Sequence, residues 1–210
     1  PKDPNEIDAA AMVRAVEAGD GLAPLLEAIG DSGVVACGPG LGGGDWGASL
    51  FQRVLGSGRP LVLDADALNL LAAAPRALDD AILTPHPGEA GRLLGLDAAP
   101  VQHDRFGALD ALVQRYACTV VLKGAGTVIA APGQLPRVIA AGNPGMAVGG
   151  MGDLLTGTIA AVLAQGLSLF DAASTGALLH SLAGDAAAAE GERGLLPRDL
   201  LPHLRALANP

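Results

Sequence analysis

Residues 141–157 read AGNPGMAVGGMGDLLTG, a run with six glycines that leads into an apolar segment of helical spacing. The glycines Gly149, Gly150 and Gly152 permit positive φ angles and leave backbone N–H groups uncovered, while the following helix offers a partial positive charge at its N-terminus. Asp153 falls in the first turn of that helix. The segment therefore predicts an anion cradle with a general base beside it.

A purely structural role is the alternative, in which Asp153 caps the helix and the glycines form a turn. For an isolated Gly-x-Gly-Asp, that would be the better interpretation. The density of glycine, together with Asn143 and Pro144, favours the binding interpretation here.

Upstream of this run, short apolar segments alternate with segments of helical spacing. This alternation is typical of βαβ units and predicts an α/β fold with a mainly parallel sheet and helices on both faces. The predicted strands are 34–37, 61–63, 81–83 and 119–122, and the predicted helices are 46–55, 67–74, 88–94 and 105–116.

The pattern changes after residue 123. Segments 127–131 and 137–140 are short strand candidates split by a Pro-Gly turn, which predicts an antiparallel hairpin at the edge of the sheet. Further helices are predicted at 153–165, at 169–190 and shortly after residue 197, with weaker helical patterns at 9–18 and 22–29.

Size, composition and charge exclude several classes of function. The 210 residues suit a single domain over 1–210, and only 2% of them are aromatic. The net charge of -9 argues against a nucleic-acid partner, because such binding depends on clustered Lys and Arg. No apolar run reaches the roughly 18 residues of a membrane span, and the N-terminus lacks a signal-peptide pattern. We expect a soluble, cytoplasmic protein without a membrane partner.

Residues 142–157 resemble the GNPGMATGGMGDVLTG motif of the ADP/ATP-dependent NAD(P)H-hydrate dehydratases, a ribokinase-like family. Val148 replaces the usual Thr there. Four more segments resemble family motifs in the family's order: GPGLG at 38–42, LDADALNLL at 63–71, TPHPGEAGRLLG at 84–95 and LKGAGTVI at 122–129. The resemblance implies a ribokinase-like three-layer sandwich that uses ADP or ATP with Mg²⁺ to dehydrate NADHX or NADPHX.

On the substrate side, the resemblance places Gly40 and Gly42 beside the hydrated nucleotide. On its own, either glycine would be explained equally well by a tight turn after a strand. Asp64 and Asn69 are assigned to the same pocket, whereas Asp66 could instead cap the helix that follows.

His86 lies between two prolines at another predicted strand end, where it is held rigidly in an extended turn. The resemblance implies a substrate contact, although without it a surface histidine is an equally good interpretation. Glu89 follows in the first turn of the next helix, where it serves either Mg²⁺ and phosphate or the helix dipole.

On the nucleotide side, Lys123 supplies a point charge beside glycines whose N–H groups can hold a phosphate. The resemblance assigns the adenine nucleotide to two loops: Lys123, Gly124, Ala125, Gly126 and Thr127 in one, and Asn143, Gly149, Gly150 and Gly152 in the other. His180 and Asp185 also match a family stretch, but packing or capping explains them equally well, and they are not assigned to the site.

Family members usually begin with a βα unit to which nothing in residues 1–30 corresponds, so we expect an N-terminally truncated domain. The resemblance also implies a homo-tetramer and an NAD(P)H-hydrate epimerase, fused or separate. Two other functions stay open: a ribokinase-like kinase of small-molecule alcohols, which would share the glycine-rich loop, and a non-catalytic adenylate-binding protein.

Overall fold

The computed structural model describes residues 22–30 and 33–209. The strands are β1 Val35–Cys37, β2 Leu61–Leu63, β3 Ala81–Leu83, β4 Thr119–Leu122, β5 Thr127–Ala130 and β6 Arg137–Ile139. The α-helices are α1 Ala23–Ile29, α2 Asp45–Leu55, α3 Ala65–Ala73, α4 Pro87–Leu94, α5 Ala98–His103, α6 Arg105–Tyr116, α7 Met151–Leu163, α8 Leu169–Ala187 and α9 Leu201–Leu207. Short 3-10 helices span Pro144–Met146 and Pro197–Leu200.

The six strands form one sheet in the order β1-β2-β3-β4-β5-β6. Strands β1 to β4 are parallel, while β4 with β5 and β5 with β6 are antiparallel. The structure thus confirms the mainly parallel sheet and the antiparallel edge hairpin. Helical segments join the parallel neighbours, because parallel strands need a long crossover, whereas short loops suffice for the antiparallel hairpin.

Alternate strand residues face opposite sides of the sheet, and each side has its own core. Leu63, Leu83 and Leu122 pack with residues of α2, α3, α4 and α6. Ile82 and Val121 pack with residues of α7 and α8 on the other face. Helices therefore cover both faces, which confirms the predicted three layers.

Several helix boundaries differ from the prediction by one to three residues. Helices α3 and α7 each begin two residues earlier than expected, and α8 ends at Ala187 rather than at 190. Helix α5 was not predicted, since Val101 is its only buried residue and no apolar face recurs. The predicted helix at 9–18 lies outside the described residues.

Parallel strands place their carboxyl ends at one edge of the sheet, which is where α/β proteins bind ligands. At this edge, the backbone N–H of Asp64 bonds to Cys37 O, that of Thr84 to Leu63 O and that of Lys123 to Pro85 O. The segments that follow β2, β3 and β4 are therefore tied together. Within the part of the chain that the structure describes, no helix has the length and apolar character needed to cross a membrane.

Candidate functional site

A cavity of about 840 Å³ opens at this edge of the sheet. It is bounded by the segments after β2, β3 and β4 and by the starts of α7 and of the glycine-rich run. Of the residues predicted for the site, it is lined by Asp64, His86, Glu89, Lys123, Gly124, Ala125, Gly126, Thr127, Asn143, Gly152 and Asp153. Residues from four of the five sequence motifs thus line one cavity, and the GPGLG segment at 38–42 contributes none.

Asp64 is the centre of a buried polar network below the cavity. Its side chain is almost fully buried, and its two oxygens have different partners. Oδ1 accepts a hydrogen bond from Lys123 Nζ at 2.7 Å, and Oδ2 accepts one from Thr156 Oγ1 at 2.9 Å. Since a buried charge is stable only when paired, Asp64 holds both Lys123, which follows β4, and the helix α7 that carries Thr156.

His86 and Glu89 form a capping box at the start of α4. His86 Nδ1 accepts from the N–H groups of Gly88 and Glu89, and the Glu89 carboxylate accepts from His86 N at 2.7 Å. Because Nδ1 is an acceptor, the neutral ring carries its proton on Nε2. Half of the His86 side chain is exposed, whereas Glu89 is buried and its Oε2 lies 3.6 Å from Lys123 Nζ.

Gly150 precedes α7 as its N-cap residue and adopts a φ of 86°, and no side chain caps the start of this helix. Among the described residues, the N–H groups of Gly152 and Asp153 make no hydrogen bond, and the Asp153 carboxylate has no partner. A Cβ on Gly152 would lie 3.3 Å from Lys123 Nζ. Uncapped helix N–H groups, a free carboxylate and a lysine ammonium therefore lie close together, as an anion site with an adjacent base requires.

The loop from Lys123 to Thr127 is braced by Arg105 of α6, which does not line the cavity. Arg105 Nη2 donates to Leu122 O and to Gly126 O, each at 3.1 Å, and burial lowers the pKa of this guanidinium. Thr127 Oγ1 donates to Gly124 O. In the described part of the chain, no partner occupies the N–H groups of Gly124, Ala125 and Gly126.

Five predicted site residues are not part of the cavity wall. Gly149 and Gly150 adjoin it in the glycine-rich run, and Gly40 and Gly42 lie in the loop after β1. Asp66 holds that loop, because its Oδ2 accepts from Gly42 N at 2.8 Å, so it does not cap α3. Asn69 is exposed and accepts from Arg92 Nε at 2.7 Å, which joins α3 to α4.

Ala65 explains why the two aspartates of the DAD segment act in different places. It has a φ of 47°, which is unusual for a residue with a Cβ, and it lines the cavity. The left-handed turn begins α3 directly after Asp64, so Asp64 lies against Lys123 while Asp66 lies against Gly42.

Two residues left unassigned by the sequence lie next to the site. Asp185 accepts from Gly142 N and from Asn143 Nδ2, at 2.9 and 3.0 Å. His180 lines the cavity, and its burial lowers the pKa to about 4, partly opposed by a hydrogen bond to the Met151 backbone. The match of both residues to a family stretch was the only signal in the sequence.

Among residues 22–30 and 33–209, no group of three or more His, Cys, Asp or Glu side chains is arranged to hold a metal ion. Mg²⁺ usually binds with one or two carboxylates, waters and substrate phosphates, so a full protein cage is not required. Three carboxylates line the cavity: both oxygens of Asp64 are engaged, Oε2 of Glu89 accepts from His86 N, and Asp153 has no partner among the described residues.

Comparison with known proteins gives a consistent result. The family model described as NAD(P)H-hydrate dehydratase matches residues 5–205. A bifunctional NAD(P)H-hydrate repair enzyme of Coxiella burnetii is 55% identical over 200 residues, which are 95% of this chain and 40% of that protein. An ADP-dependent (S)-NAD(P)H-hydrate dehydratase of Neisseria meningitidis is 42% identical over 84% of this chain and 62% of its own length.

A solved structure shows the same fold. The ADP/ATP-dependent NAD(P)H-hydrate dehydratase of Bacillus subtilis, co-crystallised with ATP and Mg²⁺, matches with a TM-score of 0.75 and 31% identity. The match covers 83% of this chain and 63% of the other. This chain spans about two fifths of the length of the first bifunctional relatives. By the extent of the family match and the fold, the chain belongs to the NAD(P)H-hydrate dehydratase family.

Proposed function

We propose that the chain catalyses the nucleotide-dependent dehydration of NADHX and NADPHX to NADH and NADPH. The observation that carries this proposal is the unpaired Asp153 carboxylate at the N-terminus of α7, in the same cavity as Lys123. The free N–H groups at the start of α7 and in the 124–126 loop can donate hydrogen bonds to the oxygens of a polyphosphate. The names of the relatives supply the substrate class.

The adenine nucleotide is proposed to bind between the two loops. Lys123, Gly124, Ala125, Gly126 and Thr127 would hold it from one side, and Asn143, Gly149, Gly150 and Gly152 from the other. The unoccupied N–H groups of both loops support this role, since backbone amides bind phosphate oxygens. We propose either ADP or ATP as the phosphate donor.

The hydrated nicotinamide nucleotide is proposed to contact Gly40, Gly42, Asn69 and His86, with Asp64 below them. The Nε2–H of His86 is the donor that the histidine can offer to a substrate oxygen. Asp64 would act through Lys123 and Thr156, because its oxygens are already engaged.

In the proposed mechanism, Asp153 accepts the proton of the hydrate hydroxyl as that oxygen attacks the terminal phosphorus of the nucleotide. The shortened nucleotide leaves, and the substrate now carries a phosphate ester. The C–O bond of this ester then breaks, phosphate departs, and loss of a proton from the neighbouring ring carbon restores the double bond. Phosphate is a far better leaving group than hydroxide, which is what the nucleotide contributes.

Mg²⁺ is proposed to accompany the nucleotide, with Glu89 as the protein carboxylate nearest to it. When bound, the ion would offset the negative charge of the phosphates. Glu89 lies in the cavity wall, and among the described residues its Oε1 accepts no hydrogen bond, which supports this assignment.

The substitution Asp153→Asn tests the proposed base. The amide keeps the shape of the side chain but cannot accept the proton, so we expect kcat to fall by a factor of about 100 or more. Affinity for the adenine nucleotide, measured by titration, should change little. Asp171→Asn, at an exposed position in α8, serves as the control. Full turnover by Asp153→Asn would remove Asp153 from the mechanism.

A direct assay decides between this function and its rivals. ADP- and ATP-dependent recovery of the reduced-nicotinamide absorbance from NADHX is followed for this chain and for a version extended by the βα unit of its relatives. Formation of a stable phosphorylated alcohol without that recovery would identify a kinase instead. Nucleotide binding with no turnover in both versions would identify a non-catalytic adenylate-binding protein.

Three further properties are proposals from the family resemblance alone. We propose a homo-tetramer, a location in the cytoplasm, and cooperation with an NAD(P)H-hydrate epimerase that converts the other epimer of the substrate. The relatives named as bifunctional repair enzymes support the last of these.

A further inference from the structure

The end of helix α8 forms the surface on which the glycine-rich run rests. Met146 packs against Gly184, where an added Cβ would overlap its thioether. A Cβ on Gly145 would overlap the Glu192 carbonyl oxygen, and one on Gly142 would touch Ser181. Residues 142–146 are therefore fitted closely to α8 and the segment after it.

Asp185 is the polar anchor of this contact. Its Oδ2 accepts from Gly142 N at 2.9 Å, and its Oδ1 accepts from Asn143 Nδ2 at 3.0 Å. Gly142 has a φ of 104°, a conformation that a residue with a Cβ rarely adopts. Asn143 Oδ1 is buried without a partner in the described residues, so Asp185 alone holds this side chain by a hydrogen bond.

We propose that Asp185 is a positioning residue for adenine-nucleotide binding. It does not line the cavity, and its carboxylate is taken up by the first two residues of the run. By fixing Gly142 and Asn143 on α8, it determines where the chain turns towards Gly149, Gly150 and Gly152. The backbone N–H groups that follow are then preorganised for phosphate, which lowers the entropy lost on binding.

This inference rests on the proposed function, since it requires that the glycine-rich run binds the nucleotide. The two hydrogen bonds of Asp185 suggest a specific test, because a carboxylate accepts from two donors while an amide presents one donor and one acceptor. In Asp185→Asn, the new NH₂ group faces an N–H donor. In Asn143→Asp, two carboxylates face each other.

The double variant Asp185→Asn with Asn143→Asp restores complementarity. The new amide oxygen can accept from Gly142 N, and the new NH₂ can donate to the new carboxylate. We expect each single variant to weaken ADP and ATP binding about tenfold or more, because charge-assisted hydrogen bonds are lost. The binding free energy lost in the double variant should be smaller than the sum of the losses in the two single variants.

The measurement is a calorimetric titration of the full chain with ADP and ATP in the presence of Mg²⁺. Asp171→Asn, on the same helix but bonded to Ser168 and Arg137, should bind like wild type. Thermal unfolding of all variants separates a loss of fold from a loss of affinity. Since Asp185 is exposed, we expect its Asn variant to unfold within a few degrees of wild type.

Two results would overturn the inference. One is an Asp185→Asn variant with wild-type nucleotide affinity. The other is a double variant whose loss equals the sum of the single losses. A wild-type chain that binds neither nucleotide would contradict the proposed function as well, whereas wild-type binding that Asp185→Asn leaves unchanged contradicts this inference alone.

Discussion

The two loops proposed to hold the nucleotide are supported from behind in opposite ways. In the loop from Lys123 to Thr127, the cation Arg105 binds backbone carbonyl oxygens, which leaves the N–H groups of residues 124–126 without partners. At the start of the glycine-rich run, the anion Asp185 binds a backbone N–H and an amide NH₂. A permanent positive charge braces the first loop and a negative charge the second.

The difference follows from what each loop needs to offer. A short loop between two strands has only a few backbone amides, and a brace that uses its carbonyls spares those of residues 124–126. The longer run can give up the N–H of Gly142, because the start of α7 supplies uncapped N–H groups of its own. The Arg105 cation also lies behind a loop proposed to bind phosphate, where its field favours anions.

The largest difference between the two loops is expected when one glycine of each is replaced by alanine and the losses of unfolding free energy are compared. A Cβ on Gly124 would overlap the Arg105 guanidinium at a φ of 144°, while one on Gly149 meets no atom within 4 Å. We expect Gly124→Ala to lower the free energy of unfolding by about 3 kcal/mol. Gly149→Ala should change it by less than about 1 kcal/mol. Urea denaturation measures both, and similar losses would contradict the tight fit of the first loop.

The sequence predicted the first loop better than the second. The strand before Lys123 and the hairpin after it are marked by apolar runs with clear ends, so all six strands could be placed to within one residue. Arg105 could not be assigned, since its two carbonyl partners are 17 and 21 residues away. Nothing local distinguishes such an arginine from one in solvent.

For the second loop, glycine spacing indicated an anion cradle and placed Asp153 correctly in the first turn of α7. It did not indicate that the glycine-rich run packs on α8, because Asp185 lies more than 40 residues downstream. The left-handed conformation of Ala65 was also not indicated, since alanine has no preference for a positive φ. Local patterns thus specified elements and motifs, whereas long-range polar contacts required the folded chain.

Acid should destabilise the protein through His180, which lies on the same helix as Asp185. His180 of α8 bonds to the Met151 backbone at the start of α7, and burial lowers its pKa from 6.5 to about 4. Between these values the unfolded chain binds more protons than the folded one, so stability falls as the pH drops from 6.5 to 4. This single group should contribute a loss of about 3 kcal/mol over that range.

Chemical denaturation at several pH values tests this contribution. In His180→Gln, stability should fall less steeply between pH 6.5 and 4 than in wild type. His103→Gln, at an exposed position, controls for the removal of a histidine. If stability falls equally steeply in wild type and in His180→Gln, His180 does not contribute to the pH dependence of stability.

The smallest effect is expected when Arg105, which supports the first loop, is replaced by another positively charged residue. In Arg105→Lys, the ammonium keeps the positive charge but lacks the planar fork that reaches both Leu122 O and Gly126 O. One partly buried carbonyl loses its donor, so the free energy of unfolding should fall by about 1–2 kcal/mol. Nucleotide affinity should fall as well, because Gly126 is then free to move.

Arg137→Lys is the matched control, since Arg137 forms an exposed ion pair with Asp171 that a lysine can keep, and among the described residues it binds no loop carbonyl. Its effect should stay below about 0.5 kcal/mol with unchanged nucleotide affinity. Urea denaturation and nucleotide titration of both variants provide the measurement. If the two substitutions have equal effects, the carbonyl contacts of Arg105 do not brace the loop, and the contrast with Asp185 is lost.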